Sequence, residues 1–273
     1  MHDHAVFDRD SVSVFTPYHS QYLAHRLTLE GATDDGLAKA ISTARVDLNP
    51  HQVDAALFAL ASPISKGVIL ADEVGLGKTI EASLVIAQRW AEHRRRILLI
   101  VPASLRKQWS QELQEKFSLP AVIIEAKSYR EQVKAGRREP LDNTDRIVIT
   151  SYEFAARRAD EIKRIGWDLI VFDEAHRLPN VYRKGTAARA KALRDAVRGG
   201  FKLLLTATPL QNSLMELFGL ASIIDERLFG DEASFRTLYG GIAPSPNTVH
   251  FTIWMAATKS MDVVGCGVRG RSG

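Results

Sequence analysis

Residues 67–82 read GVILADEVGLGKTIEA, and this stretch decides how the chain is expected to fold. Its first residues form a short apolar run typical of a strand, residues 72–77 carry two glycines, and the residues from Lys78 onward favour a helix. Gly75 and Gly77 lack a Cβ, so the backbone can curl tightly and direct several N–H groups and the helix N-terminus at one anion. The stretch therefore predicts a phosphate-binding loop between a strand and a helix.

Two side chains at the end of this loop suit a magnesium nucleotide. Lys78 would contact the β and γ phosphates as a point charge, and the Thr79 hydroxyl would hold the bridging Mg²⁺. The strict pattern G-x-x-x-x-G-K-[ST] requires glycine at position 72, where this chain has Asp72. Taken alone, the stretch also fits a glycine-rich turn with an exposed lysine. The candidate cofactor-binding positions of the loop are Asp72, Glu73, Val74, Gly75, Leu76, Gly77, Lys78 and Thr79.

A second informative stretch is DLIVFDEAHRL, at residues 168–178, where an apolar run ends in Asp173 and Glu174. Two adjacent carboxylates at the end of a buried strand are costly unless positive charge lies over them. In a nucleotide site, Asp173 would support Mg²⁺ through its water shell, and Glu174 would orient and deprotonate the attacking water. An isolated motif of this kind also fits a solvated strand end, but the lysine-bearing loop upstream favours the catalytic interpretation.

Composition limits the classes of protein that the chain can belong to. Its 273 residues are 45% hydrophobic and 25% charged, which predicts a soluble globular chain with a sizeable core. The net charge of +4 is compatible with a polyanionic partner but does not require one. The single cysteine, Cys266, excludes an internal disulfide framework and suits a reducing cytoplasm. No signal-peptide pattern and no apolar run of ~20 residues is present, so a membrane location is not expected.

Along the chain, apolar strand-like runs alternate with helical periodicity, which predicts an α/β fold with a mostly parallel sheet and helices on both faces. Ligands on such sheets bind outside the carboxyl ends of the strands, where the loop, Asp173 and Glu174 would meet. The predicted strands are 68–71, 96–101, 121–125, 146–150, 169–172 and 202–206. The main predicted helices are 21–29, 36–44, 48–60, 78–93 and 105–117.

Gln52 lies beside the apolar stripe of the helix predicted at 48–60. Its amide carries both a donor and an acceptor, the pair needed to read the N6 and N7 edge of adenine. An exposed glutamine on a helix explains the residue better unless its position is tied to the phosphate loop.

The stretches DEVGLGKTIEA, DEAHRLPN and LLLTATPLQNSLMELFGL together resemble the Swi/Snf-type ATPases of helicase superfamily two, with the bacterial RapA-like ATPases as the nearer kin. The resemblance covers roughly residues 48–235 in the family's order. It implies the first RecA-like lobe of a P-loop NTPase that uses ATP and Mg²⁺. Aspartate at position 72 is characteristic of this branch.

The resemblance implies a role for each matching residue. Gln52 falls on the adenine-reading glutamine, and Lys78, Asp173 and Glu174 fall on the catalytic positions. Thr79 and Asp173 fall on the Mg²⁺ positions, and His176 on the fourth position of the DEAH box. The residues implied to couple nucleotide state to the grip on nucleic acid are His176, Thr206, Thr208 and Gln211.

Two further segments, VPASLRKQW at 101–109 and TSYE at 150–153, match the family's motifs that contact the nucleic-acid backbone. Hydroxyl groups and helix N-termini bind phosphate oxygens without reading bases, so these residue types suit such a role. Helix capping and ordinary surface charge are the alternative for Ser104, Arg106 and Lys107. The nucleic-acid-binding candidates are Ser104, Arg106, Lys107, Thr150 and Ser151.

The predicted domain organisation is a helical extension at 1–44, a helicase ATP-binding lobe at 45–238, and an atypical, poorly ordered tail at 239–273. Family members complete the ATP site with arginines of a second lobe, in a motif of the type Q-x-x-G-R-x-x-R, which these residues do not contain. We therefore expect a first lobe whose reading frame is truncated or shifted, with hydrolysis dependent on a second lobe.

Three functions compete at this point. The first is a nucleic-acid-dependent ATPase and translocase, the second a non-catalytic nucleotide-binding fragment, and the third a phosphate-loop enzyme that ignores nucleic acid, which TATPLQN and TSYE disfavour. The expected partner is nucleic acid, with double-stranded DNA preferred, and an RNA polymerase or a defence or restriction complex as further options. DNA versus RNA, the cellular role and the oligomeric state stay open.

Overall fold

The computed structural model describes residues 44–46, 48–60, 66–71, 77–176, 178, 187–206, 214–225, 235, 237 and 253–256. The helices are α1 (Pro50–Leu60), α2 (Lys78–Ala91), α3 (Arg106–Phe117), α4 (Ala126–Lys134), α5 (Tyr152–Arg157), α6 (Ala159–Arg164), α7 (Ala187–Ala196) and α8 (Leu214–Ile224). The strands are β1 (Gly67–Ala71), β2 (Ile97–Val101), β3 (Ala121–Ile123), β4 (Ile147–Ser151), β5 (Leu169–Phe172), β6 (Phe201–Thr206) and β7 (Ile253–Ala256).

All seven strands join one sheet in the order β3-β4-β2-β5-β6-β1-β7. The pairs among β1 to β6 are parallel, and β7 runs antiparallel to β1. The predicted α/β fold with a mostly parallel sheet is therefore confirmed. Strands β4, β2 and β5 are neighbours, so the residues that follow them emerge side by side at one edge.

The two faces of the sheet are covered by different helices. Alternate residues of β2 point to opposite faces, as strand geometry requires: Leu98 and Ile100 join one buried cluster, and Leu99 joins the other. The first cluster includes Phe154 of α5 together with residues of α6, α7 and α8. The second includes Trp109 of α3 together with residues of α1 and α2. Burial on both faces explains why β1, β2 and β5 are nearly continuous apolar runs.

The observed elements differ from the predicted ones mainly at their ends. The helices predicted at 21–29 and 36–44 lie outside the described residues, apart from Ala44. Strand β7 is not among the predicted strands, because residues 239–273 show no strand period, yet four of them pair with β1. The domain boundaries stay predictions. In the part of the chain that the structure describes, no helix has both the length and the apolar character to cross a membrane.

Candidate active site

The carboxyl ends of β1, β5 and β6 lie together at one edge of the sheet. Ala71, the last residue of β1, is paired with Thr206, the last residue of β6. The turn after β5 is tied to the same strand, because the Ala175 N–H donates to the Leu205 carbonyl oxygen at 2.8 Å. Parallel pairing thus brings the start of the glycine loop, the DEAH turn and Thr206 to one place, as the sequence predicts.

Gly77 and Gln52 are in direct contact at the start of α2. Gly77 is the N-cap of the helix and has a φ of 93°, which is the left-handed conformation that glycine adopts without strain. A Cβ at this position would overlap the side-chain amide of Gln52. Gln52 is only 4% exposed, and its Oε1 accepts a hydrogen bond from the Asn49 N–H at 3.1 Å. The interpretation of Gln52 as an exposed surface residue is therefore wrong for this geometry, and the glutamine is tied to the end of the loop.

The environment of Asp173 is the main electrostatic feature of the edge. Burial raises the pKa of the Asp173 carboxyl above its ordinary value; the hydrogen bond from Trp109 opposes this shift, and the charge of Glu174 adds to it. The charge of Lys78 also lowers the pKa of Asp173, as the smallest of the effects that act on this carboxyl group. A carboxylate that burial makes costly to ionise would be stabilised by a cation held over it.

Three hydrogen bonds fix Asp173 itself. The indole Nε1 of Trp109 donates to Oδ2 at 2.8 Å, and the N–H of Glu174 donates to Oδ1 at 2.9 Å. The Tyr152 hydroxyl donates to the main-chain oxygen of Asp173 at 2.6 Å. Each carboxylate oxygen has two lone pairs, so Asp173 keeps acceptor capacity for a metal ion or its bound water. Its oxygen donors suit Mg²⁺, which prefers such ligands.

Glu174 adopts a backbone conformation that is uncommon for a non-glycine residue, with a φ of 53°. Its Oε2 lies 3.2 Å from Nδ1 of His176, and both side chains are about one-third exposed. The carboxylate of Glu174 is therefore partly accessible to solvent beside Asp173. Strained residues of this kind are concentrated at functional sites.

The candidate nucleic-acid residues differ in their exposure and in their hydrogen-bond partners. Ser104 and Lys107 are exposed at the start of α3. Arg106 is engaged within the chain, since its guanidinium donates to Glu125 at 2.8 Å and to the Ala103 carbonyl at 3.0 Å.

Thr150 and Ser151 lie deeper than expected for residues that contact a phosphate. Thr150 is fully buried and its hydroxyl donates to the Ile124 carbonyl at 2.9 Å. Ser151 is 7% exposed and caps α5 by accepting from the Phe154 N–H at 3.3 Å. This placement argues against a direct phosphate contact by Thr150, whose hydroxyl instead links the ends of β4 and β3.

Several predicted positions have no structural description. Residues 72–76, which hold Asp72, Glu73, Val74, Gly75 and Leu76, lie outside the described residues, as do Thr208 and Gln211. Lys78 and Thr79 are described, and both are half-buried at the first turn of α2.

Sequence reasoning does not single out Trp109 or Tyr152 as partners of Asp173. Both residues fall in the nucleic-acid motifs only. A general signal exists, because buried tryptophan and tyrosine side chains usually find a hydrogen-bond partner for their N–H or O–H. That signal does not name the partner, which depends on the order of strands in the sheet.

Comparison with known proteins gives one family and one fold. A family model described as SNF2-related domain matches residues 23–246. The chain is 39% identical over 190 residues to a protein named uncharacterized ATP-dependent helicase YqhH of Bacillus subtilis (strain 168); the alignment covers 68% of this chain and 31% of that protein. The chain therefore spans about a third of the length of this curated relative.

Two solved structures share the fold. The chain matches a Sulfolobus solfataricus SWI2/SNF2 ATPase core in complex with dsDNA with a TM-score of 0.58 at 24% identity, over 71% of this chain and 39% of that one. The Sulfolobus solfataricus SWI2/SNF2 ATPase core domain matches with a TM-score of 0.57 at 24% identity, over 72% of this chain and 39% of that one. These matches confirm the predicted fold class.

Proposed function

Because this chain belongs to the SNF2-related domain family, we propose that it is the ATP-binding lobe of a nucleic-acid-dependent ATPase and translocase. The observation that supports the proposal is that Lys78 begins the helix that follows β1, while Asp173 and Glu174 directly follow β5, a strand of the same parallel sheet. The pKa of Asp173 responds to the charge of both Lys78 and Glu174. A phosphate-binding lysine beside a carboxylate pair is the arrangement that a magnesium nucleotide requires.

The proposed roles follow the chemistry of each group. Lys78 binds the β and γ phosphates, while Thr79 and Asp173 hold Mg²⁺, directly or through water. The bound ion supplies charge neutralisation for the phosphoryl group. Glu174 orients the attacking water, and its partly exposed carboxylate beside Asp173 suits that role. From the resemblance, residues 72–77 are proposed to bind the phosphates together with Lys78.

Gln52 is proposed to read adenine. Its contact with Gly77 supports this role, because it places the amide beside the loop that holds the phosphates. The remaining coupling roles, proposed from the resemblance, belong to His176, Thr206, Thr208 and Gln211.

Hydrolysis is proposed to need arginines from a second lobe. An arginine supplied to the γ-phosphoryl group contributes roughly 10³–10⁵ in rate, and these 273 residues contain no Q-x-x-G-R-x-x-R motif. We expect the chain as given to bind Mg·ATP and to hydrolyse it very slowly, with or without DNA. Robust DNA-stimulated turnover that Glu174→Gln abolishes would contradict this expectation.

Nucleic acid is proposed to bind through its phosphate backbone, with double-stranded DNA as the preferred form. Ser104 and Lys107 are exposed at the N-terminal end of α3, where hydroxyl, ammonium and N–H groups suit phosphate oxygens. One structural neighbour is an ATPase core in complex with dsDNA, which supports this preference. Arg106 would have to leave Glu125 to take part.

The test measures two affinities with matched lysine variants. Lys78→Ala should weaken binding of a fluorescent ATP analogue in the presence of Mg²⁺ by roughly 10- to 100-fold, because hydrogen bonds to charged groups contribute about 1.5–3 kcal/mol. Lys116→Ala is the control, since Lys116 lies in the last turn of α3, at the opposite end of the helix from Lys107, and is paired with Glu112. Equal nucleotide affinity in Lys78→Ala and the parent would refute the assignment of the loop.

The second affinity is that for duplex DNA as a function of salt. Binding should weaken steeply as salt increases and should show little sequence preference, because phosphate contacts release counterions. Lys107→Ala should reduce, by about one, the slope of the logarithm of the binding constant against the logarithm of the salt concentration. Lys116→Ala should leave this slope unchanged. Binding that survives high salt would count against backbone contact.

A further inference from the structure

Two buried aromatic side chains donate hydrogen bonds to the same residue, Asp173. The indole of Trp109 reaches the carboxylate oxygen Oδ2 at 2.8 Å, and the hydroxyl of Tyr152 reaches the main-chain oxygen at 2.6 Å. Trp109 is 2% exposed and Tyr152 is 3% exposed. One bond therefore orients the acid group, and the other fixes the backbone from which it projects.

The two donors approach Asp173 from opposite faces of the sheet. Trp109 belongs to the buried cluster beneath α1, α2 and α3, whereas Tyr152 belongs to the cluster on the other face. The Tyr152 ring also packs near the Phe172 ring, with centroids 6.3 Å apart. Asp173 is thus held between two helices that do not share a core.

Trp109 lies beside the residues proposed to meet nucleic acid, and Tyr152 directly follows Ser151, a nucleic-acid candidate that is only 7% exposed. Trp109 is in the first turn of α3, close in sequence to the exposed Ser104 and Lys107. Tyr152 opens α5 directly after Ser151, at the end of β4. Because β4, β2 and β5 are adjacent, these two segments and Asp173 emerge from three neighbouring strands.

A shift of either helix would change the position of Asp173. Hydrogen bonds weaken steeply when the donor moves away or turns, so a displacement of α3 of about 1 Å would alter the bond to Oδ2. Packed side chains move as units and do not deform continuously. A contact made at the start of α3 or α5 can therefore reach the proposed Mg²⁺ ligand without passing through the nucleotide.

We propose that Trp109 and Tyr152 are positioning residues that transmit contact with nucleic acid to Asp173, so that binding of nucleic acid and of Mg·nucleotide are energetically coupled within this lobe. The inference rests on the proposed function, because it requires both ligands. Coupling of this kind is reciprocal: each ligand changes the affinity for the other by the same factor.

A purely structural role for the two bonds is distinguished by matched variants elsewhere in the core. Tyr152→Phe keeps the ring and removes only the hydroxyl donor, whereas Trp109→Phe removes the indole N–H together with part of the ring volume, so each variant has a control with the same substitution. Trp167→Phe removes the same indole bond from a tryptophan whose Nε1 donates to the Ile162 carbonyl at 3.0 Å. Tyr129→Phe removes the same hydroxyl bond from a tyrosine that donates to Glu161 at 2.8 Å. The two control residues are also buried, and neither bonds to Asp173.

The experiment measures the affinity of the 273-residue chain for a fluorescent ATP analogue with Mg²⁺, with and without saturating duplex DNA. In the parent, the ratio of the two affinities should fall within the range of roughly 5 to 150 found for coupled sites. The ratio should decrease in Trp109→Phe and in Tyr152→Phe and approach 1 in the double variant. The ratio should keep the parental value in Trp167→Phe and Tyr129→Phe, and thermal unfolding of all variants compares their stability.

Each negative result of this experiment has a different consequence for the inference and for the proposed function. If the parent binds both ligands but its ratio is 1, or if all variants keep the parental ratio, the inference is wrong and the proposed function stands. If the control variants lose the coupling as fully as Trp109→Phe and Tyr152→Phe do, the effect is one of general stability and the inference is also wrong. If the parent binds neither ligand, the proposed function fails and the inference fails with it.

Discussion

The charged side chains at the two edges of the sheet have different surroundings. At the carboxyl edge, Asp173 and Glu174 are adjacent, and burial together with the charge of Glu174 raises the pKa of Asp173. At the amino edge, Lys202 is fully buried in β6, and its Nζ donates to the carbonyl oxygens of Arg198, Gly200 and Ile224 at 3.1–3.4 Å. At the first edge two carboxylates are adjacent in the chain, whereas at the second a buried ammonium group is surrounded by carbonyl acceptors.

Other charged side chains at the amino edge are paired with groups of opposite charge or with main-chain N–H groups. Lys66 contacts Asp225 at 2.6 Å, and the Arg96 guanidinium donates to Asp142 at 2.9 Å. The Asp168 carboxylate accepts from the Arg96 N–H at 3.0 Å. The charged groups at the amino edge are thus paired within the chain, whereas at the carboxyl edge the neighbouring charge of Glu174 raises the pKa of Asp173.

The largest stability effect is expected from Lys202 at the amino edge. Lys202→Met keeps most of the buried stem but removes the donor shared by three carbonyl oxygens. We expect the free energy of unfolding at pH 7 to fall by about 1–3 kcal/mol, the cost of leaving buried polar groups unsatisfied. Chemical denaturation measures it, and nucleotide affinity should be unchanged. A variant as stable as the parent would show that these contacts contribute little.

Lys202 is also expected to make the free energy of unfolding depend on pH. Burial, followed by the charge of Lys66, lowers the pKa of Lys202 to about 8 in the folded chain, whereas the value in the unfolded chain is near 10.5. Between about pH 8 and 10.5 the unfolded state binds more protons, so this lysine makes the free energy of unfolding rise with pH, by up to about 1.4 kcal/mol per pH unit.

Denaturation of the parent and of Lys202→Met at several pH values tests this prediction. The stability difference between the two proteins should stay constant below about pH 8 and widen as the pH rises towards 10.5. A constant difference across the whole range would show that Lys202 titrates normally.

A comparison of two glycines separates backbone strain from contact with Gln52. Gly77 at the carboxyl edge has a φ of 93° and Gly136 at the amino side has a φ of 89°, but a Cβ would meet Gln52 only at position 77. Gly77→Ala and Gly136→Ala should each cost up to about 1–2 kcal/mol of stability. Only Gly77→Ala should also weaken ATP binding and reduce any preference for ATP over GTP. Equal nucleotide binding in both variants would refute the role of Gln52.

The smallest effect concerns two strained residues. Glu174 and Ser118 both have a positive φ, of 53° and 55°, and lie at opposite edges of the sheet. Replacing either with glycine should relieve strain and raise the free energy of unfolding by roughly 0.5–1 kcal/mol, part of the gain being lost to unfolded-state entropy. Thermal denaturation of the two variants measures this. A destabilised Glu174→Gly beside a stabilised Ser118→Gly would show that the Glu174 side chain itself holds the turn.

The strands and the helix after the glycine loop are predictable because their signals are local. The run LIVF of β5 is apolar throughout, since both its faces are covered, and its predicted bounds are those observed. Likewise the helix after the glycine loop begins at Lys78 as predicted. These features depend on neighbouring residues, which the sequence displays directly.

The contacts that define the site are not predictable in the same way. The bonds from Trp109 and Tyr152 to Asp173 depend on β2 lying between β4 and β5, which periodicity does not reveal. Strand β7 forms because the edge of β1 offers it a partner, and its own four residues carry little signal. Burial of Lys202 in a strand contradicts the usual exposure of lysine and follows from carbonyl groups supplied by distant segments.

The order of strands also sets a sequence of events during synthesis. β1 carries the start of the glycine loop, yet both of its neighbours, β6 and β7, lie far later in the chain. Because β1 has no neighbouring strand until residues 201–206 have been made, the proposed nucleotide site is expected to be completed last, after β2, β3, β4 and β5 have paired. Non-local parallel pairing of this kind is slow, and a ligand that binds only the finished edge stabilises it by mass action. Nucleotide present during refolding should therefore raise the yield of folded chain.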